Sequence, residues 1–186
     1  HDPEQRELLE KVLRKLASGG CGFEDKSMPI PIEEIRIHHS RLFAHDAAAV
    51  HRDRYAHDPD LFLPNISALI EEGRTVDASE FEELLKHQRS FRRLMSETLD
   101  SNSIAILPAT NTPAPATLAS TGNALFNSPW SYCGFPELTV PAGVNSLGLP
   151  IGLQLVGLPG TEQQILTAAK QIEACVQFSH RPTFQP

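Results

Sequence analysis

Five of the eight histidines crowd one stretch: His38, His39, His45, His51 and His57. A pair of imidazoles four residues apart on a helix can grip one zinc ion. No two of these five stand four apart. His38 and His45, seven apart, would share a helix face at a separation of about 10 Å. That is too far for one ion whose bonds are about 2 Å long. The stretch therefore reads as a solvated helix face, and no metal site is assigned. Cys133 lies in "SYCGFP", with no histidine near it in the sequence. A nucleophilic thiolate needs a base and an electropositive setting, so Cys133 reads as a small buried thiol. The nucleophile elbow G-x-S-x-G, the dinucleotide pattern G-x-G-x-x-G and the phosphate loop are all missing. No catalytic residue and no cofactor follow from these residues.

The one tryptophan, Trp130, lies in "FNSPWSYCG". Two roles fit it. It could be a core residue whose indole N–H finds a carbonyl, or it could wall a pocket at the end of a sheet, where α/β proteins bind ligands. Thr121 and Asn127 set small polar groups close to this ring. With the proline-rich loop 108–117, these three residues form the candidate substrate-binding wall.

Several elements must position that segment. "HDPEQRELLEKVLRKLASGG" opens with a cap at Asp2 and a proline at the first helical position. Leu8, Leu9, Val12, Leu13 and Leu16 make one apolar face, and Gly19 with Gly20 ends the helix. Residues 33–57 read as a helix burying Leu42, Phe43, Ala47 and Val50, broken by "HDP" at 57–59. A short helix is expected from Leu61 to Glu72, with Gly73 as its stop. The next helix follows an Asp77–Glu80 capping pattern. It carries Phe81, Leu84, Leu85, Phe91, Leu94, Met95 and Leu99 at helical spacing. From residue 103 short apolar runs and prolines take over. Strands are expected near 105–107, at 137–141 and at 150–156, the last two as an antiparallel hairpin. The final strand is apolar apart from the amide Gln154. A helix with a Thr161–Gln164 capping box and a stripe of Ile165, Ala168, Ala169, Ile172 and Val176 closes the chain. Residues 1–100 are thus mainly helical and 101–186 sheet-forming with a last helix. The expected fold class is α/β, with helices packed on a small mixed sheet.

Composition narrows the partners. The chain has 186 residues, a net charge of −7, 40% hydrophobic and 21% charged residues. That range is globular. The negative balance argues against a nucleic-acid footprint and against docking on an anionic membrane. No apolar run reaches spanning length. Cys21, Cys133 and Cys175 form no disulfide framework or zinc signature, which suggests a cytoplasmic protein. The chain starts at His1, and we expect it to be cut out of something larger, or processed.

Read together, "ILPATNTPAPAT", "STGNALFNSPWSYCGFPELTVPAG", "GLPIGLQLVG" and "TEQQILTAAKQIE" are more specific than any one of them. Their order and spacing resemble the C-terminal part of the amidase signature family, serine amidohydrolases that include amidotransferase A subunits. The resemblance reaches back through "VDASEFEELLKHQRSFRRLM" and "HDAAAVHRDRYAHDPD" to "LLEKVLRKLASGG". It implies the C-terminal half of an amidase-signature fold. It also implies a parent enzyme that hydrolyses amide C–N bonds through an acyl-serine, using a lysine and two serines in a Gly/Ser-rich segment. This chain holds no Ser-Ser dipeptide, and its one Gly-Gly, Gly19–Gly20, ends a helix. Lys11, Lys15, Lys26, Lys86 and Lys170 stand outside the family's lysine context. The resemblance thus implies an inactive chain whose partner is the N-terminal amidase half. A small-molecule amide is the substrate of the whole, and an uncovered sheet invites a homodimer. The alternative is a free-standing, non-catalytic binding or partner module derived from an amidase.

Overall fold

The computed structural model describes residues 2–117 and 119–181. It divides into two compact units, one of residues 1–27 with 96–186 and one of residues 28–95.

The first unit is built on three strands, β1 (Ala105–Pro108), β2 (Glu137–Val144) and β3 (Pro150–Val156). They lie in the order β1-β3-β2. The hairpin is present, with Leu138 opposite Leu155 and Val140 opposite Leu153, and β1 adds to β3 with Leu107 opposite Gln154. Every pairing among the described residues is antiparallel. The α/β class holds, but the mixture of strand directions expected from the sequence is absent here. Side chains alternate across a sheet. One face presents Val140, Leu153 and Leu155, and it packs with Val12 and Leu16 of α1 (Pro3–Ser18) and Ile165, Ala169 and Ile172 of α6 (Glu162–Val176). This is the unit's core.

Helix α1 ends as the sequence implies. Asp2 accepts from the backbone of Glu4 at 2.9 Å, and Gly20 takes φ +94°, a left-handed turn that favours glycine. The cap of α6 differs from the expectation. The Thr161 hydroxyl donates to the Leu158 carbonyl at 2.7 Å and makes no cap bond into the helix. Of the stripe read for α6, Ile165, Ala169 and Ile172 are buried, and Ala168 and Val176 are half-buried.

The second unit is helical: α2 (Ile32–His57), a 3-10 turn (Pro59–Leu61), α3 (Pro64–Arg74) and most of α4 (Ala78–Thr98). Asp77 caps α4 through the Glu80 backbone N–H at 2.8 Å. Two expectations need correction. The buried face of α2 is Ile35, Leu42 and Ala44, while Phe43 and Val50 are exposed. Gly73 is no stop; it is a buried residue inside α3. A Cβ built on it would lie 1.9 Å from the Ala44 carbonyl oxygen. The small residue lets two helix backbones approach, which explains both corrections. Contact at Ala44 selects for absence of bulk, and a hydrophobic pattern does not register that. No helix among the described residues is long and apolar enough to cross a membrane.

Candidate functional site

The segment from the end of β1 to the start of β2 carries most of the unusual polar geometry of the first unit. Past Pro108 the Ala109 N–H donates to the Gly152 carbonyl at 3.0 Å, so the loop leaves the sheet beside β3. The Thr110 hydroxyl donates to the Thr112 carbonyl at 2.7 Å and accepts from the Gln5 amide at 3.5 Å. The Asp2 N–H donates to the Asn111 carbonyl. The start of α1 thus braces the proline-rich loop. Gln5 is 3% exposed, a buried amide that sequence periodicity did not reveal. Its Oε1 and the Oδ1 of Asn111 are buried with no partner among the described residues.

Thr121 stands exposed in the loop that follows. Asn127 is exposed at the N-terminus of the short helix α5 (Ser128–Cys133), and its side chain makes no cap bond. Trp130 is buried. Its indole Nε1–H is also buried and has no acceptor among the described residues. A buried Trp N–H normally finds one, so this is the least satisfied donor of the segment. Its backbone is well held, with the Trp130 carbonyl accepting from the Phe135 N–H at 3.0 Å. Tyr132 and Cys133 are buried beside it, and burial pushes the Tyr132 hydroxyl upward in pKa. Cys133 is thus the buried thiol expected. Depressions of about 270 and 320 Å³ open at Pro3, Arg6 and Glu10 on α1 and at Ile104, Gln164 and Thr167 beside α6. Thr121, Asn127 and Trp130 line neither.

The amide noticed in β3, Gln154, is 2% exposed. Its Nε2 donates to Glu137 Oε2, one residue pair along the sheet on the same face. The sequence reading missed Glu137, because its proximity to Gln154 depends on strand register. Burial raises the Glu137 carboxyl above the usual carboxylate range, opposed by the bond from Gln154.

In the second unit several histidines make ring contacts. The His38 and His87 rings stack with centroids 3.7 Å apart, and His87 Nε2 lies 3.2 Å from Glu34 Oε1. His45 stacks on Phe81, and His51 meets the edge of Phe62. Burial lowers the pKa of His39. No group of three or more metal-binding side chains forms among the described residues. The lysines also serve local ends: Lys15 Nζ donates to the Cys175 carbonyl, and Lys26 and Lys86 pair with Glu24 and Glu83.

An antiparallel sheet fed by a proline-rich loop and covered by α1 and α6 makes a small α/β scaffold. The chain belongs to the amidase family, whose model matches residues 1–166. The glutamyl-tRNA(Gln) amidotransferase A subunit of Zymomonas mobilis is 40% identical over 90 residues, 45% of this chain and 18% of that protein. Its counterpart in Rhizorhabdus wittichii is 35% identical over 109 residues, 59% of this chain and 21% of that protein. Among solved structures, an amidase aligns over 93% of this chain and 42% of its own, with a TM-score of 0.83 at 22% identity. A bacterial aryl acylamidase of the amidase signature family aligns over 94% of this chain and 40% of its own, with a TM-score of 0.75 at 16% identity. The structural matches show the fold. The chain spans about two fifths of these solved amidases, and its matches span about a fifth of these curated relatives.

Proposed function

We propose that this chain is the C-terminal portion of an amidase-signature hydrolase and supplies strands and pocket wall to an active centre whose reacting groups lie in a preceding segment. The observation that carries this reading is coverage. A solved amidase matches nearly all of this chain, yet the match takes up only 42% of that amidase. The absence of any Ser-Ser dipeptide from the 186 residues agrees with it.

In the whole enzyme a serine hydroxyl oxygen adds to the amide carbonyl carbon, the C–N bond breaks, and the amine leaves with a proton. Water then releases the acid from the acyl-serine. This chain contributes positioning. Thr121, Asn127 and Trp130, with loop 108–117, form the wall. The unpartnered Trp130 N–H supports that role, since it suits an acceptor such as a carbonyl oxygen. The outer strands β1 and β2 each have one neighbour among the described strands, so the sheet can extend into a larger one. Left unextended, such edges favour self-association.

The test begins with the coding frame upstream of His1. A Gly/Ser-rich, Lys-bearing segment in frame supports the proposal. A start codon immediately upstream supports a free-standing module and overturns it. Co-expression of this chain with the N-terminal part of an amidase relative should then give a stoichiometric complex on size exclusion.

A further inference from the structure

The first turn of α1 reaches across one end of the sheet. Pro108 lies opposite Leu153 and Val144 opposite Pro150, so the proline-rich loop and the turn between β2 and β3 leave the sheet at that same end. Glu4 Oε2 accepts from the Ser146 N–H of that turn at 2.8 Å. The Asp2 N–H donates to the Asn111 carbonyl at 3.3 Å, and Gln5 Nε2 donates to Thr110 Oγ1 at 3.5 Å. One helix end thus ties the hairpin turn and the loop together.

Gln5 breaks the pattern of its helix. It shares the buried stripe of α1 with Val12 and Leu16, positions where an amphipathic helix takes apolar side chains. Among the described residues, Gln5 and Gln154 are the two polar side chains buried to this degree. The Thr110 hydroxyl spends its proton on the Thr112 carbonyl at 2.7 Å, so its oxygen accepts from Gln5 and draws the NH₂ end toward the loop. The Gln5 Oε1 is left buried, with no partner among the described residues. One long bond set against one unsatisfied oxygen gives no net stability. An apolar side chain of equal length would serve the core at least as well. It would not select one place for Thr110, which a buried polar contact does.

We propose that Gln5 is a positioning residue for substrate selection: it holds Thr110, and through it the proline-rich loop 108–117, in place at the pocket wall. The role in selection rests on the functional reading above; the tie between Gln5 and Thr110 does not.

The experiment uses Gln5→Met, which keeps length and bulk and removes both amide groups, in the 186-residue chain and in the enzyme reconstituted with an N-terminal amidase segment. In the parent chain, NMR should show a contact between the Gln5 side-chain NH₂ and the Thr110 methyl group. In the variant, ¹⁵N relaxation should report greater motion at Thr110, Asn111 and Thr112, with an unfolding midpoint equal to the parent's or higher. In the reconstituted enzyme, the ratio of kcat/KM between a bulky and a small amide should change at least threefold. Thr110→Val, which removes the acceptor, should change it alike, and the double variant should change it no further, because the two residues act as one unit. Thr110→Ser, which keeps the hydroxyl, should hold the parental ratio. A missing contact, or loop motion that Gln5→Met leaves unaltered, would overturn the tie. A lowered midpoint with the ratio intact would make Gln5 plain core, and additive effects of the two variants would mean that it acts by another route; either overturns the proposal. No turnover from the reconstituted parent overturns the functional reading and the selection role with it, while the tie stands on its NMR signature.

Discussion

Gly73→Ala sets two physical effects against each other, and the structure decides between them. Intrinsic helix propensity favours alanine over glycine by about 1 kcal/mol in a helix interior. Packing opposes it. The new Cβ would lie 1.9 Å from the Ala44 oxygen, 2.4 Å from its carbonyl carbon and 2.9 Å from Ala48 Cβ. An ordinary carbon–oxygen contact is about 3.3 Å, so the position is roughly 1.4 Å too close. The obstacle is backbone, which no rotamer change removes. Relief requires α2 and α3 to part by about 1 Å, and a gap of that size forfeits a quarter to a half of the dispersion energy across it. Ala44 and Ile70, both essentially inaccessible to solvent, would lose the most. Overpacking of this kind costs about 1–3 kcal/mol or more, and with the lost contacts the net effect should be about 2–3 kcal/mol of destabilisation. Urea unfolding should show a midpoint lowered by roughly 1–2 M with the slope unchanged. Gly22→Ala, where nothing lies within 4 Å, is the control and should be near neutral. A Gly73→Ala protein as stable as the parent, or more stable, would refute the close approach of these helices.

Three further outcomes follow. Trp130→Phe should cost about 1–2 kcal/mol, the lost ring volume at a buried site being offset in part by removal of a buried N–H without a partner, yet alter the substrate ranking of the reconstituted enzyme. A loss of several kcal/mol with the ranking intact would make Trp130 plain core. The Arg41 guanidinium grips Glu80 through two bonds of 2.8 and 2.9 Å and holds its carboxyl below the usual range. A depressed folded pKa stabilises above the ordinary carboxylate pKa and stops doing so as pH falls through the lowered value. The stability gap between the parent and Arg41→Met should therefore narrow in acid, and a gap independent of pH would contradict the pairing. Gln177 ends α6 at φ +52°, a left-handed conformation that costs a side chain about 1 kcal/mol. Gln177→Gly should raise the melting temperature, and an unchanged or lower one would count against that backbone.

What could be read from the sequence was local or repeated. Spacing located the helices around Val12, Leu84 and Ile165, since one face of each is buried and the others are not. Asp2 and Asp77 were readable because a cap acts within three residues. Family membership was readable from the order of several motifs. Other features depend on what lies across the fold. Ala44 and Gly73 matter through their smallness, which no hydrophobic pattern marks. Thr161 has the residue type and spacing of a cap, but its hydroxyl takes the nearer Leu158 carbonyl. Gln154 looked buried from its apolar neighbours, while Glu137 became its partner only through strand register. Of the candidate wall, Trp130 is buried and Thr121 and Asn127 are exposed. That placement leaves their joint role to the reconstitution assay.

The central claim is that this chain builds part of an amidase centre and holds none of its reacting groups. Its most direct test is release of ammonia or amine from simple amides by the purified 186-residue chain, alone and after reconstitution with a Gly/Ser-rich, Lys-bearing amidase segment. The account predicts the buffer rate for the chain alone, since loss of a nucleophile can cost about 10⁶-fold in turnover, and turnover only after reconstitution. Hydrolysis by the chain alone, persisting through rigorous removal of contaminating amidases and blocked by a serine-directed inhibitor that labels one of its own serines, would contradict it.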